Sequence, residues 1–135
     1  MTRTPGHPMS TQPARVMDAK QHLTFETTAF NQEIAHDGNA FIYAKRVLQA
    51  PDLPGANFLD LVVMPPGSDI GVHTHEHDNQ EIYIIISGQG MMRVEDSEFP
   101  VGPGHVIVNR PGGTHGLINT GDGDLKLVVI EVPEP

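Results

Sequence analysis

The feature that most constrains this chain is a rhythm. Short apolar, strand-like runs recur roughly every ten residues, each broken by glycine, proline or a polar turn. The runs are Phe41 to Leu48, Phe58 to Met64, Ile70 to His75, Glu81 to Ile86, Met91 to Glu95, His105 to Asn109, His115 to Asn119 and Leu125 to Val132. Leu23, Phe25 and Thr27 alternate with polar residues and suggest a further short strand before them. Asp37-Gly38-Asn39 reads as a turn, Ser87-Gly88-Gln89-Gly90 as a hairpin turn, and Asp96-Ser97-Glu98 as another turn. The 14 glycines and 12 prolines are spread as turn punctuation, which disfavours long helices. The pattern predicts an all-β sandwich or barrel. Several runs are apolar on both faces, so the outer face of the sheet needs cover from a second subunit or an extra strand. A homodimer is therefore expected.

With 135 residues the chain fits one domain with a normal core. Aromatic residues make up only 5% and tryptophan is absent, so that core must be aliphatic. Residues 1–20 are rich in Thr, Pro, Ser and Gln and predict a flexible or partner-pairing arm. Residues 21–135 form the single β domain. A formal net charge of −9 argues against nucleic acid and against an anionic membrane surface as partners. No apolar run approaches a membrane span, and the N-terminus has no apolar segment of the secretory kind. There are no cysteines, so disulfides and thiolate ligands are excluded and a cytoplasmic location is expected. Any metal must be held by His, Asp, Glu or backbone oxygen.

The chemistry concentrates between Gly67 and Gly88. His73, His75, His77 and Glu81 fall within nine residues. Side chains two apart on a strand share a face, so His73 and His75 point together, as would His75 and His77. Glu81 opens an apolar strand, where an unpaired carboxylate would be costly to bury. Two imidazoles and one carboxylate aimed into one cavity suit a divalent cation. A lone strand histidine is more often solvated, so the H-x-H pair alone is weak. A second cluster, Pro111-Gly112-Gly113-Thr114-His115, ends on His115 and offers a fourth ligand.

These residues resemble the motifs of the cupin superfamily, whose fold is a jelly-roll β-barrel. Gly67, His73, His75, Glu81 and Gly88 follow that family's first motif, with one residue extra between His75 and Glu81. Taking His75 and His77 as the pair repairs that gap but places Asp69 at the leading glycine. His73 with His75 is preferred, and His77 is kept as the substitute for His73. Gly104, Gly112, His115 and Asn119 follow the second motif. Its proline position holds Arg110, with Pro111 one place later. The resemblance covers about residues 40–132.

The resemblance implies one divalent ion (Fe, Mn, Ni, Co or Zn) held in the barrel by His73, His75, Glu81 and His115. Asn119 is expected to be structural. Tyr83 shares the inward parity of Glu81 and is a candidate to hydrogen-bond a bound ligand. Arg93 is a candidate to meet an anionic substrate, with solvation as the alternative. His105 is expected to be exposed, while His22 and His36 carry no supporting pattern. Two functions are compatible with this reading. One is a small-molecule enzyme of the dioxygenase, isomerase or lyase type. The other is a non-catalytic small-ligand-binding barrel.

Overall fold

The computed structural model describes residues 15–75 and 78–134. Among these, ten strands make two sheets, and every pairing is antiparallel. The strands are β1 (Asn31–Glu33), β2 (Ile42–Gln49), β3 (Phe58–Met64), β4 (Asp69–Thr74) and β5 (Asn79–Ser87). They continue with β6 (Gly90–Val94), β7 (Ser97–Val101), β8 (Val106–Asn109), β9 (Thr114–Asn119) and β10 (Leu125–Pro133). The larger sheet runs β1-β2-β3-β10-β5-β8 and the smaller β4-β9-β6-β7. This is the jelly-roll β-barrel that the strand rhythm and the resemblance predict. Among the described residues no helix is long and apolar enough to cross a membrane.

Period-two alternation builds the core. Leu125, Leu127 and Val129 on β10 face Tyr83 and Ile85 on β5 and Val62 and Met64 on β3 across one inner surface. Met92 and Leu117 close it from the smaller sheet. Each fully buried Leu or Ile contributes about 2 kcal/mol. The interior is aliphatic, as the scarcity of aromatic residues requires.

Three sequence expectations change. The run from Leu23 to Thr27 is a turn, and the first strand is Asn31–Glu33 instead. Phe25 stacks on Phe30 at 6.3 Å and lies under the Lys126 ammonium, 5.7 Å from its ring centroid. Its alternation serves to cover the outer face of the larger sheet rather than to pair. Ser87 to Gly90 is not a hairpin: β5 and β6 belong to different sheets, and the link carries the chain across the barrel. Gly88 adopts φ 91°, and a Cβ there would meet the Asp124 carbonyl oxygen at 2.5 Å. Finally, Ser97 and Glu98 belong to β7, and the tight turn falls at Glu95, with φ 53°.

Most of the expected 1–20 arm lies outside the described residues. Within the described part, Asp18 caps a short 3-10 turn, Ala19–Gln21, and Lys20 pairs with Asp52.

Two details position the site. Asn119, buried at the end of β9, donates to the Met64 carbonyl at 2.8 Å and the Gly123 carbonyl at 2.9 Å, and accepts from the Gly121 N–H at 2.8 Å. It staples β9 to β3, a structural role as expected. In β4, Gly71 and Val72 together face the single residue Gly116 of β9, because Ile70 pairs with Leu117 and His73 with His115. This β-bulge turns His73 to the same side as Ile70, three positions earlier, where strict alternation would turn it away.

Candidate metal centre

Three strands from both sheets supply the cluster. His73 comes from β4, His115 from the adjacent β9 at the same register, and Glu81 from the start of β5 across the barrel. His75 follows β4 directly, and its N–H donates to the Gly113 carbonyl at 2.8 Å, tying the turn before His115 to the end of β4. One donor atom from each of His73, His75, Glu81 and His115 lies within 4.8 Å of the others. Four donors bound to one first-row ion at about 2.0–2.2 Å would stand about 3–4.4 Å apart. The residues present therefore fit a metal after small side-chain adjustment. The rings pack closely: His73 to His115 is 4.4 Å between centroids and His75 to His115 is 5.0 Å.

Hydrogen bonding sorts the nitrogens. The Gly71 carbonyl can only accept, so at 2.7 Å it takes the proton of His73 Nδ1 and leaves a lone pair on Nε2. That Nε2 is buried with no partner among the described residues, as are both nitrogens of His115. His75 Nε2 meets Glu81 Oε1 directly. Burial followed by the neighbouring imidazoles of His73, His75 and His36 pulls the His115 pKa down to about 3. Burial also lowers His73, against the opposing effect of its bond to Gly71. Both rings are thereby neutral and ready to ligate. Burial raises the Glu81 carboxyl, although His75 acts the other way. Unpaired imidazole lone pairs beside a desolvated carboxylate form a donor set that a divalent cation would satisfy.

Other predicted residues separate. Tyr83 is 2% exposed on the inner face, its ring edge-on to His115 at 5.6 Å and 90°. Burial holds its hydroxyl well above the usual phenol range. Arg93 is not brought to the cluster. Val94 stands opposite His115 and Met92 opposite Leu117, so those side chains face inward and Arg93, between them, faces out. There it lines a separate cavity with Val72, Glu98 and Ile118, and its Nε donates to the Glu95 carbonyl. His105 is exposed, as expected. His77 lies outside the described residues.

Sequence reading missed two neighbours. His36 lies flat on His73, with centroids 3.4 Å apart and planes 5° apart. It is delivered by a turn in which both His36 and Asp37 are left-handed, at φ 50° and 58°. Arg46 is the second. It shares the inner face with Asp60, which it grips through Nε at 2.9 Å and Nη2 at 3.2 Å while stacking over Phe58. Nothing local in the sequence marks either residue; each arrives through tertiary packing.

The cupin domain family (Cupin_2) matches residues 60–131, more than half of the chain. The chain belongs to the cupin domain family. This cupin is 36% identical over 67 residues to an oxalate-binding protein of Thermotoga maritima, covering 50% of this chain and 54% of that protein. The chain thus spans about half the length of the curated relatives it matches. A Thermotoga maritima structure described as a predicted oxalate decarboxylase superposes with TM-score 0.78 at 23% identity, covering 84% of this cupin and 99% of that chain. The Cnp3 cupin domain of Schizosaccharomyces pombe superposes with TM-score 0.70 at 16% identity, covering 84% and 74%. At those identities the two structures support the fold alone.

Proposed function

We propose that this cupin binds one divalent ion through His73, His75, Glu81 and His115, and that a small carboxylate such as oxalate completes the coordination. The observation that carries the reading is the set of buried imidazole nitrogens without partners, His73 Nε2 and both nitrogens of His115, beside Glu81. Four protein donors leave one or two positions of a six-coordinate ion open. The oxalate-binding protein among the relatives supports the ligand class. Such an ion supplies Lewis acidity to a bound oxygen. The protein's own groups do the rest. The Gly71 carbonyl fixes the His73 tautomer, Glu81 offsets cation charge, and Tyr83, with Ile85 and Leu127 behind it, forms the buried wall beside His115.

The test is elemental analysis of protein purified anaerobically, with and without incubation in Fe(II) or Mn(II), followed by calorimetric titration with oxalate. About one ion per chain is expected, and His115→Ala should lose most of it. Wild-type protein that takes up no metal under any of these conditions would sink the reading.

Turnover is a second reading, favoured by the carboxylates of Asp60 and Glu131. Glu131 stands opposite Glu81 in the β5–β10 ladder, and Asp60, held by Arg46, lies on the adjoining strand β3. Oxygen uptake with diketones, catechols or keto-sugars, or formate and CO2 release from oxalate, would distinguish an enzyme from a binder. A homodimer belongs to the same proposal. Val106 and Val108, 60% and 38% exposed, lie on the outer side of β8, the edge strand of the larger sheet. Light scattering that returns a monomer mass would remove it.

A further inference from the structure

Asn109 ends β8 and is 1% exposed. Its partner across the β5–β8 ladder is Glu81, and side chains directly opposite one another leave a sheet on the same face. Ile107, two residues earlier, stands opposite Tyr83 and belongs to the core. The Asn109 amide therefore enters the barrel next to the Glu81 carboxylate. Neither its Nδ2 nor its Oδ1 has a hydrogen-bond partner among the described residues. A buried primary amide with both ends idle is costly and uncommon. The contrast with Asn119 is direct: that equally buried asparagine uses its oxygen once and its nitrogen twice within the protein. Asn109 staples nothing. It holds an unspecified position of the second motif, between Gly104 and Gly112, and no packing need calls for a polar side chain where Ile107 shows that an apolar one fits the same face.

We propose that Asn109 orients the ligand bound at the metal centre. Its Nδ2 donates to one oxygen of a small acid, and its Oδ1 accepts from a hydroxyl or water on that acid. The inference rests on the proposed function and deepens it by naming the group that selects the ligand. A neutral amide that both donates and accepts favours acids with two oxygens a few bonds apart, one for the ion and one for Asn109. Oxalate and short α-hydroxy acids have that shape, and simple monocarboxylates lacking a second oxygen function do not.

The experiment compares the full-length wild type with Asn109→Leu and Asn109→Asp, each loaded with Mn(II). Metal content is read by elemental analysis and oxalate affinity by calorimetry. Unchanged metal content with oxalate binding at least ~10-fold weaker in Asn109→Leu is expected, since one lost hydrogen bond to a charged ligand is of that order. Asn109→Asp should weaken it further by like-charge repulsion. Equal oxalate affinity in wild type and Asn109→Leu overturns the assignment. So does a loss of metal in proportion to the loss of ligand, which would make Asn109 a support for Glu81. Asn109→Ala carries the same comparison should the leucine variant not fold. Wild type that takes metal but no oxalate overturns the ligand half of the proposed function. In that case acetohydroxamate, a bidentate oxygen ligand, decides for Asn109: weaker binding in Asn109→Leu upholds the assignment, and equal binding ends it. Wild type without metal overturns both.

Discussion

Protonation of His115 ties stability to pH. Its folded-state pKa, about 3, lies below the value of about 6.5 it regains on unfolding. The unfolded chain therefore binds the extra proton across that window, and stability falls as pH drops from about 6.5 towards 3. His73 adds to the slope in the same direction, its pKa also being lowered by burial. Urea unfolding of metal-free protein at pH 7, 6 and 5 should give steadily lower midpoints, and His115→Leu should flatten the trend. An equally flat wild type would mean that the folded protein accommodates a charged His115. With an ion bound, protons and metal compete for the same lone pairs, and because burial lowers both His73 and His115 the metal should be held well below the ordinary imidazole range. Complete release already at pH 6 would mean that these imidazoles titrate as solvated ones. The spacing motifs made His73, His75, Glu81 and His115 legible because each is anchored to a turn or strand start with its own sequence signal. His36, Arg46 and Asn109 were not legible. His36 docks on His73 from a turn, Arg46 meets Asp60 and Asn109 faces Glu81 across strand registers, and none of these pairings is written in neighbouring residues. Arg93 was a candidate by charge alone; Met92 and Val94 hold the inward positions on either side of it.

At the level of single elements, β4 is the most exacting. A Cβ on Gly71 would stand 2.0 Å from the His36 carbonyl oxygen, a backbone atom, while the Gly71 N–H is already donated to Ala35 at 3.1 Å. Gly71→Ala must therefore push the 35–38 turn off the strand, at about 2 kcal/mol or more. Chemical denaturation should register the loss, and a fully stable variant would contradict the close approach. Asn119→Ala leaves the Met64 and Gly123 carbonyls short of a donor and should cost about 2–3 kcal/mol by the same measurement. Eight of the ten strands fall on runs readable in the sequence, β3 on Phe58–Met64 with both ends as expected, whereas β1 and β7 were not legible as strands. Partnership was less readable. A glycine-bearing link of two residues looks alike whether it reverses a strand within one sheet or hands it to the other, and only the burial of both flanking runs decides. The alternation at Leu23 and Phe25 is an apolar cover laid on a sheet, which has the same signature as a half-buried strand.

For the whole molecule, closure of two sheets is what unites donors more than thirty residues apart, since His115 reaches His73 only through the β4–β9 ladder. The net charge of −9 acts at this scale too. It draws divalent cations inward and repels dicarboxylates, so oxalate association should quicken as salt is added while metal association slows. Stopped-flow rates at two ionic strengths test the pair of trends, and oxalate association that slows with salt would locate a positive path the global charge does not describe. β4 is one amino acid longer than its ladder with β9 requires. That surplus lets the Gly71 carbonyl lean against a ring nitrogen of His73. Trim Val72 and all four chelating groups would still face inward, yet His73 would be free to trade its proton between two positions. Grip on the ion would then slacken although an inventory of donors reported nothing missing.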